Sequence, residues 1–157
     1  MMKLTQSICI LAALGATCAQ AAKVMETNVY AGLLKYSDED YSGLDDYSKI
    51  FGIQQTWDNG NVLHPEVSFE FSPEDSIYYI HAGMRVYWHN FSLAFGPGYY
   101  HQGAGPDLGG NIQLKSNLRY DITPNWQIGF YHLSNGGLKD YNPGANGLFI
   151  GYNFSAK

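Results

Sequence analysis

The chain has 157 residues, nine Lys and Arg against fourteen Asp and Glu, and a formal net charge of −5 at pH 7. That acidic balance argues against nucleic acid as a partner. Thirteen Tyr, eight Phe, three Trp and eighteen Gly with few charges suit an all-β chain better than a helical one.

The first segment is a targeting signal. Met1-Met2-Lys3 precedes the apolar run Ile8-Cys9-Ile10-Leu11-Ala12-Ala13-Leu14, and Ala19-Gln20-Ala21 is a small-x-small cleavage site. This pattern predicts a secretory signal peptide over 1–21, too short and wrongly flanked for a transmembrane helix. Gly15-Ala16-Thr17 before Cys18 fits a lipoprotein signal poorly. Cleavage removes Cys9 and Cys18, leaving residues 22–157 as one domain without disulfide or thiol chemistry. It also removes Lys3 and no acidic residue, so the mature chain is more negative still.

Period-2 alternation then predicts eight strands, at about 26–35, 47–57, 62–71, 77–87, 91–102, 110–120, 125–134 and 146–154. Most approach the ten or so residues that a tilted strand needs to cross a bilayer. The connections alternate between long and short. Residues 36–46 make a long acidic loop, Asp58-Asn59-Gly60-Asn61 reads as a tight Asn-Gly hairpin turn, and 72–76 is intermediate. His89-Asn90 is tight, 103–109 longer, Asp121-Ile122-Thr123-Pro124 short and 135–145 long. Long loops at one end and short turns at the other predict an eight-stranded antiparallel transmembrane β-barrel of the outer-membrane type.

Facing is readable as two sets but not as inside and outside. Asn111, Gln113, Lys115, Asn117 and Arg119 alternate with Ile112, Leu114, Ser116, Leu118 and Tyr120. Glu66, Ser68 and Glu70 oppose Val67, Phe69 and Phe71, and His81, Gly83 and Arg85 alternate with apolar neighbours. In a narrow membrane barrel the polar set fills the lumen, with Glu66 and Glu70 pairing Arg85, Lys115 and Arg119. A soluble lipocalin-type carrier would invert the two faces. The aromatic load of the apolar set, and the small row Ser92, Ala94, Gly96 and Gly98, favour the membrane version. Trp57, Trp88 and Trp126 sit at the short-turn ends, where an aromatic girdle belongs.

The chemistry-bearing stretch is His132-Leu133-Ser134-Asn135-Gly136-Gly137-Leu138 with Asn142-Pro143-Gly144-Ala145-Asn146. On a strand, His132 and Ser134 share the face of Trp126, Ile128 and Phe130, so a base stands two residues from a hydroxyl. Asn146 shares a parity with Leu148 and Ile150. In the membrane version all three lie on the lipid-facing wall at the long-loop end, suited to a lipid ester rather than a soluble substrate. His64, His81, His89 and His101 have no metal-ligand spacing, and no cofactor is expected. Asp38-Glu39-Asp40 with Asp45-Asp46 reads as a solvated loop, with cation binding as a second reading.

His-x-Ser-Asn-x-Gly-Leu followed by Asn-x-Gly and a last aromatic strand resembles the lipid A 3-O-deacylase family of Gram-negative outer membranes. The likeness covers about 94–154, including Gly96-Pro97-Gly98-Tyr99-Tyr100 and Gly109-Gly110-Asn111-Ile112-Gln113-Leu114. The resemblance implies an outer-membrane barrel hydrolysing the ester-linked 3-hydroxyacyl chain at position 3 of lipid A. Ser134 would be the nucleophile, His132 the general base, Asn142 and the Gly137 N–H the oxyanion donors, and Asn135 a supporting residue. The family's acid falls fourteen residues after the histidine, usually as Glu, and here that position is Asn146. Asp140 and Asp121 are the nearby carboxylates in sequence. The partners implied are lipid A or lipopolysaccharide and the outer membrane, with a homodimer as an open assembly. A catalytically weak or inactive member that binds lipopolysaccharide, or is purely structural, is the alternative that Asn146 motivates.

Overall fold

A computed structural model describes residues 23–37, 47–74, 76–101, 108–138 and 142–154. The expected signal peptide and the acidic run from Asp38 to Asp46 lie outside the described residues. Eight strands form one closed sheet: β1 Lys23–Tyr36, β2 Tyr47–Asp58, β3 His64–Ser72, β4 Ile77–Trp88, β5 Phe91–His101, β6 Ile112–Asp121, β7 Trp126–Ser134 and β8 Ala145–Asn153. Each pairs antiparallel with its sequence neighbours, and β1 closes on β8 from Asn28↔Asn153 to Tyr36↔Ala145.

The alternation resolves in the membrane sense. Gln113, Lys115, Asn117 and Arg119 of β6 are buried, while Ile112, Leu118 and Tyr120 are exposed. Leu33, Ile53, Phe69, Leu93, Phe95, Leu148 and Ile150 continue an apolar belt around the outside. A water-soluble carrier has no use for such a belt around a charged interior, so the lipocalin-type reading is set aside. Strands of 9 to 14 residues are long enough to cross when tilted. Trp88 and Trp126 stand exposed at the short-turn end, with Trp126 edge-on to Tyr152 and Phe91 against Tyr120. Trp57, on the outward parity of β2 at the same end, is half-buried.

The lumen is stratified. Toward the short turns Arg85 pairs with Glu66 and also donates to Ser92 Oγ (2.6 Å) and Asn117 Oδ1 (3.2 Å). Lys115 pairs with Glu70, which accepts a 2.6 Å bond from the Tyr30 hydroxyl, and the Lys115 ammonium lies 4.6 Å from the centre of the Tyr131 ring. Toward the long loops the filling turns apolar: Leu34, Ile50, Ile77, Tyr100, Leu108, Leu133 and Ala145 close the barrel. The gap among Leu34, Ile50, Tyr79, Tyr100 and Leu133 is ≈ 10 Å³.

Two details differ from expectation. Arg119 pairs with Glu26 rather than with Glu66 or Glu70, and the Tyr87 hydroxyl donates to the same Glu26 carboxylate at 2.9 Å. Glu26 lies near the start of β1, and only barrel closure carries it across the lumen to β6. The Asn59-Gly60 connection is not a two-residue turn, because residues 59–63 separate β2 from β3. The type I′ form that Asn-Gly signals needs positive φ at both central residues. Gly60 has it (φ 74°), but Asn59 does not. Asp58 Oδ1 instead accepts from Gly60 N (2.8 Å) and Asn59 Oδ1 from Asn61 N (3.2 Å), which opens the loop.

Breaking one partner of a buried pair leaves the other charge uncompensated. Arg85→Met is therefore expected to lower the unfolding free energy by about 3–5 kcal/mol. Urea unfolding in detergent micelles measures it, and Arg85→Met with Glu66→Leu should recover most of the loss.

Candidate active site on the outer wall

The inward neighbours of the candidate residues fix their orientation. Tyr131 and Leu133 of β7, and Ala145 and Phe149 of β8, are buried in the lumen. The inward glycines make room for them: a Cβ at Gly147 would lie 2.4 Å from the Tyr131 ring, and one at Gly129 2.2 Å from the Phe149 ring. A register slip would turn these aromatics outward, so the packing holds the alternate set on the outside. His132, Ser134 and Asn146 belong to that set and are half-buried, in line with exposed Ile128, Phe130 and Leu148.

His132 and Asn146 face each other across the β7–β8 ladder. His132 Nδ1 and Asn146 Oδ1 are 3.0 Å apart. An amide oxygen accepts only, so a neutral His132 making this bond holds its proton on Nδ1 and leaves Nε2 as the acceptor. Ser134 lies two residues farther on the same face, about 6.6 Å along the strand. Asn146 Nδ2 donates to Ser37 Oγ at 3.2 Å, and Ser37 N donates to Gly144 O at 3.1 Å. Ser37, just past β1, thus ties the barrel seam to the site. No local motif marks it; closure of β1 on β8 is the signal that finds it.

The loop after β7 is built around Asn135, which is 1% exposed. Its N–H donates to Asn142 Oδ1 (2.8 Å), its Nδ2 to Gly109 O (3.4 Å), and its Oδ1 accepts from Gly137 N (2.9 Å). Asn135 therefore braces the loop from within. The Gly137 N–H is committed to Asn135 in this arrangement. Asn142 offers its Nδ2 as a donor while its Oδ1 holds the turn. Asp140 lies outside the described residues, and Asp121 is at the opposite end of the barrel, 3.8 Å from Arg119 Nε. Among the described residues no three His, Cys, Asp or Glu side chains converge as metal ligands.

Gly144 carries a steric demand that its sequence context did not reveal. Its φ is +70°, and a Cβ there would lie 2.9 Å from Leu133 O and 3.2 Å from His132 Cε1. Gly144→Ala is accordingly expected to strain the backbone and shift the imidazole out of line with Asn146, with the barrel still formed; if the site is catalytic, its rate should fall tenfold or more, by order of magnitude. Heat-modifiable gel mobility separates the two effects.

Below the site the wall is grooved. Leu33, Leu118, Ile128, Phe130, Leu148 and Ile150 line an open apolar trough of ≈ 540 Å³ that spans β6, β7, β8 and β1. A hydroxyl, an imidazole with a free acceptor nitrogen and an amide donor, set above an apolar trough, can carry out acyl transfer on an ester at a lipid surface.

The family model described as "Lipid A 3-O-deacylase (PagL)" matches residues 26–155, which include every residue of the site. Among solved structures, the outer membrane enzyme PagL superposes with a TM-score of 0.55 at 10% identity, covering 82% of this chain and 99% of that one. The Yersinia pestis outer membrane protein Ail in a phospholipid bilayer nanodisc gives 0.51 at 19% identity, over 82% of this chain and 99% of that one. A de novo designed protein, TMB2.3, gives 0.51 at 10% identity, over 88% and 99%. At these identities the structural likeness speaks for the barrel alone. No curated protein sequence matches the chain.

Proposed function

Since the chain belongs to the lipid A 3-O-deacylase family, we propose that it is an outer-membrane esterase of a Gram-negative bacterium, removing the ester-linked 3-hydroxyacyl chain at position 3 of lipid A. The observation that carries the proposal is the 3.0 Å His132–Asn146 contact, with Ser134 two residues along on the lipid-facing wall.

In this reading His132 Nε2 takes the Ser134 proton as Oγ attacks the ester carbonyl. The tetrahedral oxyanion is met by the Asn142 amide and by the Gly137 N–H once it leaves Asn135 Oδ1. His132 then returns the proton to the departing sugar oxygen, leaving an acyl-serine ester. Water, deprotonated by the same imidazole, releases the 3-hydroxy fatty acid. Asn146 keeps the proton on Nδ1 but supplies no charge against the imidazolium. Incubating the purified barrel with lipid A in detergent micelles should release free 3-hydroxy fatty acid, detectable by mass spectrometry. Intact lipid A after prolonged incubation with folded protein would refute the proposal.

Asn146 itself favours one second reading: a barrel of the same family that holds lipopolysaccharide without cleaving it. That reading requires bound but unaltered lipid A with the wild-type chain.

A further inference from the structure

We propose that Lys35 binds a phosphate monoester carried by the sugar headgroup of the lipid whose ester lies at Ser134. The inference rests on the lipid A reading of the site, in either its catalytic or its binding form.

Register supplies the position. Asn146 pairs with His132 on one side and with Lys35 on the other, and Lys35 in turn pairs with Tyr47. His132, Asn146, Lys35 and Tyr47 thus form one row across β7, β8, β1 and β2. Two strand spacings put the Lys35 backbone about 10 Å from that of His132. Lys35 shares its outward parity with exposed Leu33 and is half-buried, its ammonium 5.3 Å from the centre of the Tyr47 ring. A four-carbon stem lets that ammonium swing from the ring toward a headgroup placed over Asn146.

Charge supplies the selectivity. Arg85, Lys115 and Arg119 are buried in the lumen against carboxylates. Lys49, the other outward lysine at this end among the described residues, is held by Glu74 at 2.6 Å, and Lys23 starts β1 at the opposite end. Among the described residues, Lys35 is the outer-wall cation at the site's end without a carboxylate at ion-pair distance. The chain as a whole is acidic, at −5, so its overall charge does not favour anionic lipids. Lipid A is a phosphorylated sugar lipid, so its phosphate supplies the missing counter-charge beside the ester. Asn146 contributes to this: a carboxylate at its position would be a cross-strand partner for Lys35. The amide leaves the ammonium available to the ligand.

The test measures binding on the Ser134→Ala background, so that the lipid stays intact whether or not the parent is an enzyme. Lipid A and its dephosphorylated counterpart are titrated in detergent micelles, followed by tryptophan fluorescence. Lys35→Ala should weaken lipid A binding about tenfold, the loss typical of one charged contact. Lys35→Arg should retain most of the affinity, and dephosphorylated lipid A should bind the parent and Lys35→Ala equally. Equal losses on both lipids, or no loss on either, would overturn the inference. So would an equal Lys35→Ala effect on phosphatidylglycerol vesicles, which would make Lys35 a general anionic-surface contact. Displacement of lipid A by millimolar inorganic phosphate would likewise assign the site to free phosphate. Failure of the parent to bind either lipid would remove the lipid A reading and this inference together.

Discussion

Asn146→Asp is expected to raise the deacylation rate by about 10²- to 10⁴-fold, and Asn146→Glu to raise it by a smaller factor in the same direction. The upper limit comes from the serine-protease template, where the reverse change, acid to amide, costs about 10⁴ in kcat. Asn to Asp replaces only an NH₂ by an oxygen, so the 3.0 Å contact with His132 Nδ1 is kept and a negative charge is added behind the imidazolium. Ser37 tolerates the change, because a hydroxyl that now accepts from Asn146 Nδ2 can turn and donate to a carboxylate. Two features reduce the gain. The position is half-buried rather than fully desolvated, and Lys35 stands directly across the ladder, where it draws off part of the new charge. The initial rate of 3-hydroxy fatty acid release measures the effect. A fall in rate would mean that the amide has a role of its own.

Ser134→Ala is expected to lower turnover by at least about 10³-fold while leaving lipid binding within a factor of about two. Nucleophile and base act as a unit, so the double variant Ser134→Ala, His132→Ala should be no slower than either single one. The barrel should be indifferent to both, because neither side chain enters the lumen, where Tyr131 and Leu133 do the packing. Additive losses would show that His132 assists some step without Ser134. A folded Ser134→Ala barrel with full activity would move the nucleophile elsewhere.

The fold was legible because a two-residue period survives any tertiary context. The eight segments, the polar and apolar sets of β3, β4 and β6, and the shared face of His132 and Ser134 all follow from it. Alternation alone does not say which set faces inward, since it is unchanged by turning a barrel inside out; the aromatic load of the apolar set and the small row of β5 pointed to the membrane sense. Buried Lys115 and Arg119 beside exposed Leu118 decide that question. Contacts made by closure were also hidden. Glu26 meets Arg119, and Ser37 meets Asn146, only because the first strand returns to the last. Asn59-Gly60 misled because the dipeptide signals a turn, while neighbouring side chains choose among turns. At the candidate site the motif pointed to this loop but not to its internal wiring. Nothing in Asn135-Gly136-Gly137 announces that the asparagine turns inward, holds Gly109 and takes up the Gly137 N–H. Nor does Gly144 announce that it is the one residue type that lets the chain pass over the imidazole.

The most direct measurement is the mass spectrum of lipid A from cells producing the wild-type barrel, beside that from cells producing equal amounts of Ser134→Ala. Wild type is expected to shift the lipid A signal down by the mass of one 3-hydroxyacyl chain, and Ser134→Ala to leave it unshifted. Identical, fully acylated spectra from two folded barrels would contradict the claim that this outward Ser134–His132 pair cleaves lipid A.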